Sequence, residues 1–169
     1  MNGAPSFRER LAFDTDQGAL TDQTRRYLLI RPEALMGIFR RLPERERQQA
    51  LEALAESIVE QGSDSARAYA AMEGGGEALA RTVAATAPQL GWGIWNIEVE
   101  PDLIRLEVRN SPFAAGFGAS DSPVCYAILG MVRAISTMIF GREAAVREIS
   151  CAACGSDLCR FEARPLEAA

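Results

Sequence analysis

The stretch from Pro123 to Phe140 constrains this chain most, because it is apolar on nearly every side. Val124, Tyr126, Ile128, Leu129, Met131, Val132, Ile135, Met138 and Ile139 leave little room for a wet face. A helix of that kind must be covered on most of its circumference. No segment approaches the run of about 18 apolar residues that spans a bilayer, so the cover is expected from the chain itself. Pro123 is placed to open the helix and Gly141 to cap it.

The candidates for that cover lie on both sides. Downstream, residues 144–151 and 158–164 read as a closing pair of strands. Upstream, Gly93–Glu100 and Leu103–Arg109 alternate with period two, Trp95 and Ile97 on one face against Ile94 and Asn96 on the other. Pro101-Asp102 between them is a hairpin turn. Helical spacing marks residues 33–41 and 44–61, the second with Gly62 as its stop. Further helical stretches follow at 63–72 and, after the Gly74–Gly76 break, at 77–87. Residues 1–24 read as an irregular arm, Tyr27–Ile30 as a short strand, and residues 110–122 as a loop. The expected fold is α/β of the α+β kind, with helices packed on a largely antiparallel sheet. The expected domain organisation is an arm over 1–24 and one ligand-binding domain over 25–165.

Composition removes several function classes. A formal net charge of −5 and a pI near 4.9 do not suit direct nucleic-acid binding, which needs a dense basic face. The chain has no histidine and no lysine. Ser-His-Asp and Cys-His catalysis, histidine-based zinc sites and lysine Schiff bases are thereby excluded. Any metal must be held by thiolates, carboxylates or carbonyls. The opening residues lack the apolar core of a signal peptide, so the cytoplasm, where thiols stay reduced, is the expected location.

In that setting the cysteines stand out. Cys125 lies at the start of the apolar helix. The segment Glu148-Ile-Ser-Cys151-Ala-Ala-Cys154-Gly-Ser-Asp-Leu-Cys159 joins the closing strands. Glu148 and Cys151 are offset by three, so a twist or bulge is needed to aim both at one point. Spacing alone leaves three readings open: a soft-metal site, a Cys151–Cys154 redox pair, or buried thiols without a metal.

Trp92 to Phe161 also carries Asn110-Ser111, Ser122-Pro123-Val124-Cys125, Phe140-Gly141-Arg142, Arg147-Glu148 and Cys151-x-x-x-Gly155-x-x-x-Cys159-x-Phe161. In these residues the chain resembles the 4-vinyl reductase domain family. That family includes the sensor domains of phenol- and xylene-responsive activators and a protein associated with bacteriochlorophyll synthesis. The resemblance implies a structural zinc held by Cys125, Glu148, Cys151 and Cys159, with Cys154 a spare thiol. It implies a pocket for a small hydrophobic or aromatic ligand, for which Trp92, Trp95, Phe113, Phe117, Tyr126, Leu129 and Val146 are the candidates. It also implies a homodimer paired through the N-terminal region.

The chain departs from the phenol sensors in ways that bear on the ligand. Those sensors hold the phenolic hydroxyl with a histidine and a tryptophan, and this chain has no histidine. Two positions that are aromatic there are Leu129 and Val146 here. The resemblance therefore implies a more apolar or larger pocket, and argues against phenol itself. The sequence has no Walker motif, so a stand-alone binding protein is expected, without catalytic residues. The alternatives are an accessory protein of tetrapyrrole synthesis that binds a pigment precursor, with any enzymatic role being vinyl-reductase-associated, and a ligand-free scaffold like the distantly related vesicle-tethering subunits.

Overall fold

The structure is a computed structural model and describes residues 6–73 and 76–167. The Gly74-Gly75 part of the expected break lies outside the described residues. The chain divides into two compact units between Arg31 and Pro32.

The first unit is more regular than its polar composition suggests. Helix α1 (Phe7–Arg10) leads into an antiparallel meander of β1 (Leu11–Asp14), β2 (Ala19–Asp22) and β3 (Arg25–Tyr27). Ser6 and Glu9 cap α1 reciprocally. Asp22 is buried, and the Arg10 guanidinium meets it through two contacts of 3.1 Å. Phe7 packs edge-on against Tyr27 at 5.3 Å. The expected strand at Tyr27–Ile30 is corrected: pairing stops at Tyr27, and Leu28, Leu29 and Ile30 are 81%, 77% and 49% exposed.

The second unit holds the sheet and the apolar helix. Its helices are α2 (Pro32–Arg40), α3 (Glu44–Glu73), α4 (Glu77–Thr86), α5 (Pro112–Phe117) and α6 (Tyr126–Phe140). Its strands are β4 (Ile94–Glu100), β5 (Leu103–Arg109), β6 (Ala144–Ser150) and β7 (Cys159–Pro165). They form one antiparallel sheet in the order β4-β5-β7-β6. Mixed helices on antiparallel sheets are the fold class read from the sequence.

The alternation read along β4 and β5 sorts the two faces of this sheet. Trp95, Ile104, Leu106, Val108, Phe161 and Ala163 are buried. The other face carries charges paired across strands, Arg105 with Glu100 and Glu162, and Arg160 with Glu107. Helix α6 packs on β6 and β7, and α3 covers its far side. Ile128, Val132 and Ile135 are fully buried there. Gly130 permits the crossing: a Cβ at that position would lie 2.4 Å from the Ala55 carbonyl oxygen. The all-round apolar pattern is thus explained by a helix sandwiched between a sheet and a second helix.

Three further boundaries differ from expectation. Helix α3 runs unbroken through Gly62, where a Cβ would lie 3.1 Å from Met131 Cε. That glycine serves close packing and is not a stop. The 110–122 loop contains α5, capped by Ser111 with Pro112 in its first turn. Helix α6 starts at Tyr126, which leaves Cys125 as its N-cap residue. Gly141 ends α6 in the left-handed conformation, as expected.

Candidate metal centre

Three elements, α6, β6 and β7, bring their ends to one point at the start of α6. Cys125 precedes the helix, Glu148 lies late in β6, Cys151 follows that strand, and Cys159 begins β7. The offset of three between Glu148 and Cys151 is resolved by a register shift between Glu148 and Ser150. Glu148 pairs with Phe161, whereas Ser150 pairs with Arg160. Such a bulge turns the strand, so residues that would face opposite sides of the sheet converge. The turn Ala152–Cys154, closed by Gly155 in the left-handed region, then returns the chain to β7.

The donor atoms of Cys125, Glu148, Cys151 and Cys159 all lie within 4.8 Å of one another. Cys125 Sγ is 3.9 Å from Cys151 Sγ and 3.6 Å from Cys159 Sγ. The edge of a tetrahedron with metal–sulfur bonds of about 2.3 Å is about 3.8 Å. All three thiols are buried. The Cys125 N–H donates to Glu148 Oε2 at 3.0 Å, and the Ala152 N–H points at Cys159 Sγ at 3.3 Å. Glu148 Oε1 is buried without a hydrogen-bond partner. Leaving such an acceptor unsatisfied costs about 1–3 kcal/mol, and more for a charged group. A cation among these donors would remove that cost.

The electrostatics of the metal-free cluster follow from the same crowding. Burial, together with the neighbouring Cys151, pushes the Glu148 carboxyl up to about 8. The thiol contacts from Cys125 and Cys159 favour ionisation of Cys151. Cys125 is held protonated by its contacts with Cys151 and Cys159 and by burial. At Cys159 a lowering contact with Cys125 is outweighed by Cys151 and burial, leaving it at about 12. Three thiols and a carboxyl cannot all be anionic in one buried place unless a cation sits among them. The residues present therefore suit a soft divalent ion such as zinc.

Cys154 is exposed on the connecting turn and lies outside this donor set. Of the candidate pocket residues, Trp95, Phe113, Phe117 and Leu129 are buried in the main core cluster, and Trp92, Tyr126 and Val146 pack against it partly buried. Trp92 is at the centre of an aromatic group, 5.1 Å from Phe113 and 6.5 Å from Trp95. The Trp95 indole N–H donates to the Trp92 carbonyl at 2.9 Å. Tyr126 reaches the other way, its hydroxyl donating to Gln48 Oε1 on α3 at 2.9 Å. A separate open cleft of about 770 Å³ lies between α5 and the Ala152–Cys154 turn. Ser111, Ala114, Gly118, Ser120, Ala153 and Cys154 are among its walls, and none of the seven candidates is. Ser111 helps to carry the family resemblance in the sequence but is not read there as a site residue, although Ser-Pro is a legible helix start.

Fold and site together define an α+β domain whose last two strands and central helix close around three thiols and a carboxylate. Residues 104–165, which hold all four donors, match the family model of the 4-vinyl reductase domain, in agreement with the resemblance read from the sequence. Curated proteins provide no match. Among solved structures, the phenol-responsive sensory domain of the transcription activator PoxR, determined with phenol, superposes with a TM-score of 0.77 at 18% identity, over 92% of this chain and 85% of that one. A vinyl-4-reductase family protein from Methanocaldococcus jannaschii gives 0.51 at 15% identity, over 83% and 98%. A trafficking protein particle complex subunit 3 from Naegleria fowleri, covalently bound to palmitic acid, gives 0.55 at 14% identity, over 80% and 95%. At these identities the likeness is one of fold. No described helix is long and apolar enough to cross a membrane.

Proposed function

We propose that the unit after Pro32 is a zinc-stabilised domain that binds a small hydrophobic or aromatic molecule in the cytoplasm, as a sensor or carrier and without catalysis. The observation that carries this reading is the four-donor cluster, with sulfur separations near a tetrahedral edge and an orphaned carboxylate oxygen. Zinc with four protein ligands keeps no open position for water or substrate. Its charge would hold the thiols deprotonated and pin the start of α6 to the closing strands.

The ligand reading is supported by the shared fold with a phenol-responsive domain. We assign the pocket to Trp92, Trp95, Phe113, Phe117, Tyr126, Leu129 and Val146. With no histidine to anchor a hydroxyl, this pocket favours an apolar aromatic or hydrocarbon over phenol. The first 31 residues are proposed as a dimerisation arm, supported by the consecutive exposed Leu28, Leu29 and Ile30.

Both tryptophans of the chain are pocket candidates, so their fluorescence reports occupancy. Titration of the zinc-loaded protein with alkylbenzenes, fused-ring hydrocarbons and porphyrins is expected to give saturable fluorescence changes with the hydrocarbons and no shift of the porphyrin Soret band. A Soret shift without a hydrocarbon response would replace this reading with pigment-precursor binding. Silence in both arms would remove the ligand altogether.

A further inference from the structure

Ser111 is buried beside the cluster, only 3% exposed, and makes two contacts of different kinds. Its Oγ accepts the Ala114 N–H at 3.4 Å, which makes it the cap of α5. The same Oγ lies 3.3 Å from Cys125 Sγ. A hydroxyl has one proton and two lone pairs. Ala114 occupies one lone pair, so the proton is available to the sulfur. A thiol can either donate or accept in this contact, whereas a metal-bound thiolate can only accept. The state of Cys125 therefore sets the orientation of the Ser111 hydroxyl.

The far end of α5 is tied to the same place. Past its last turn, the Ser120 N–H donates to the Ala153 carbonyl at 2.9 Å, on the turn between Cys151 and Cys154. The helix is thus anchored at one end to a donor residue and at the other to the donor-bearing turn. Between these anchors it carries Phe113 and Phe117, both in the core cluster with Trp95.

We propose that Ser111 is a positioning residue that couples the metal centre to α5, donating its hydroxyl proton to the Cys125 thiolate while it caps the helix. The inference rests on the zinc reading above and extends it to the wall of the ligand pocket. Metal loading orders the hydroxyl, the hydroxyl orders the cap, and the cap holds the two phenylalanines in place. By linkage, a ligand packed on those phenylalanines tightens metal binding by the same factor.

The test uses the whole chain loaded with cobalt(II), whose thiolate charge-transfer absorption senses hydrogen bonds to sulfur. Ser111→Ala is expected to bind cobalt about tenfold to a hundredfold more weakly than the wild type, with a displaced charge-transfer band, and Ser111→Thr to recover both. In the wild type, the Ala114 amide is expected to exchange more slowly with metal than without it, a measurement independent of how the variants fold. Unchanged affinity and spectrum in Ser111→Ala, or an Ala114 exchange rate indifferent to metal, overturns the coupling and leaves the zinc site standing. A wild type that binds no cobalt removes both.

Discussion

Glu148 and Cys159 carry protons in the metal-free cluster that a bound ion has to displace. Burial holds the Glu148 carboxyl at about 8, and Cys159 stands at about 12. Below pH 8 both groups are protonated without metal and ionised with it, so acidification favours the empty state. Each displaced proton costs about tenfold in apparent affinity per pH unit below its pKa. Chelator competition should therefore show zinc affinity falling by roughly a thousandfold to ten-thousandfold between pH 8 and pH 6, the product of the two protons. An affinity indifferent to pH over that range would mean that these groups are not ligands. Cys154 is exposed and outside the donor set, so its substitution by serine should leave the whole profile in place.

Among the elements, the α3–α6 crossing is where a small change should be felt most. A methyl group at Gly130 would press on the Ala55 carbonyl oxygen at 2.4 Å and on Ala55 Cα at 2.9 Å, and backbone atoms have little room to yield. Gly130→Ala is expected to destabilise the protein by about 1–3 kcal/mol, read as a lower urea midpoint of the metal-loaded form. An unchanged midpoint would show that the helices separate without penalty. Helix α6 and the β4–β5 hairpin were legible in the sequence because their patterns are local, all-round apolarity in one and strict alternation in the other. Gly62 misled because the cost of an interior glycine, about 1 kcal/mol, is small beside the packing of a long helix. The β1–β3 meander was hidden for a different reason: its strands are short, and polar Asp22 is buried only because Arg10 pairs with it. The donor set itself was not legible from spacing. The bulge that aims Glu148 and Cys151 together is a product of β6–β7 pairing, and only the family resemblance singled out these four residues in advance.

For the molecule as a whole, the cluster sets three thiols and a carboxyl at the junction of α6, β6 and β7, where an ion held by them would add coordination bonds to the hydrophobic packing. The three thiols and Glu148 come from three places in the chain, so an ion held among them closes the loops between them. Its binding free energy then adds directly to folding stability. The sheet face turned away from α6 needs no such cover, because its charges pair across the strands. An ion at this junction would depend on the four donors and not on Cys154. The most direct measurement is elemental metal analysis with thermal unfolding of the purified wild type and of Cys125→Ser, Cys151→Ser, Cys159→Ser, Glu148→Gln and Cys154→Ser. The wild type and Cys154→Ser are predicted to carry about one zinc per chain, and the other four to lose zinc and melt at lower temperature. A metal-free wild type, or equal loss in all four cysteine variants with Glu148→Gln unaffected, would contradict it.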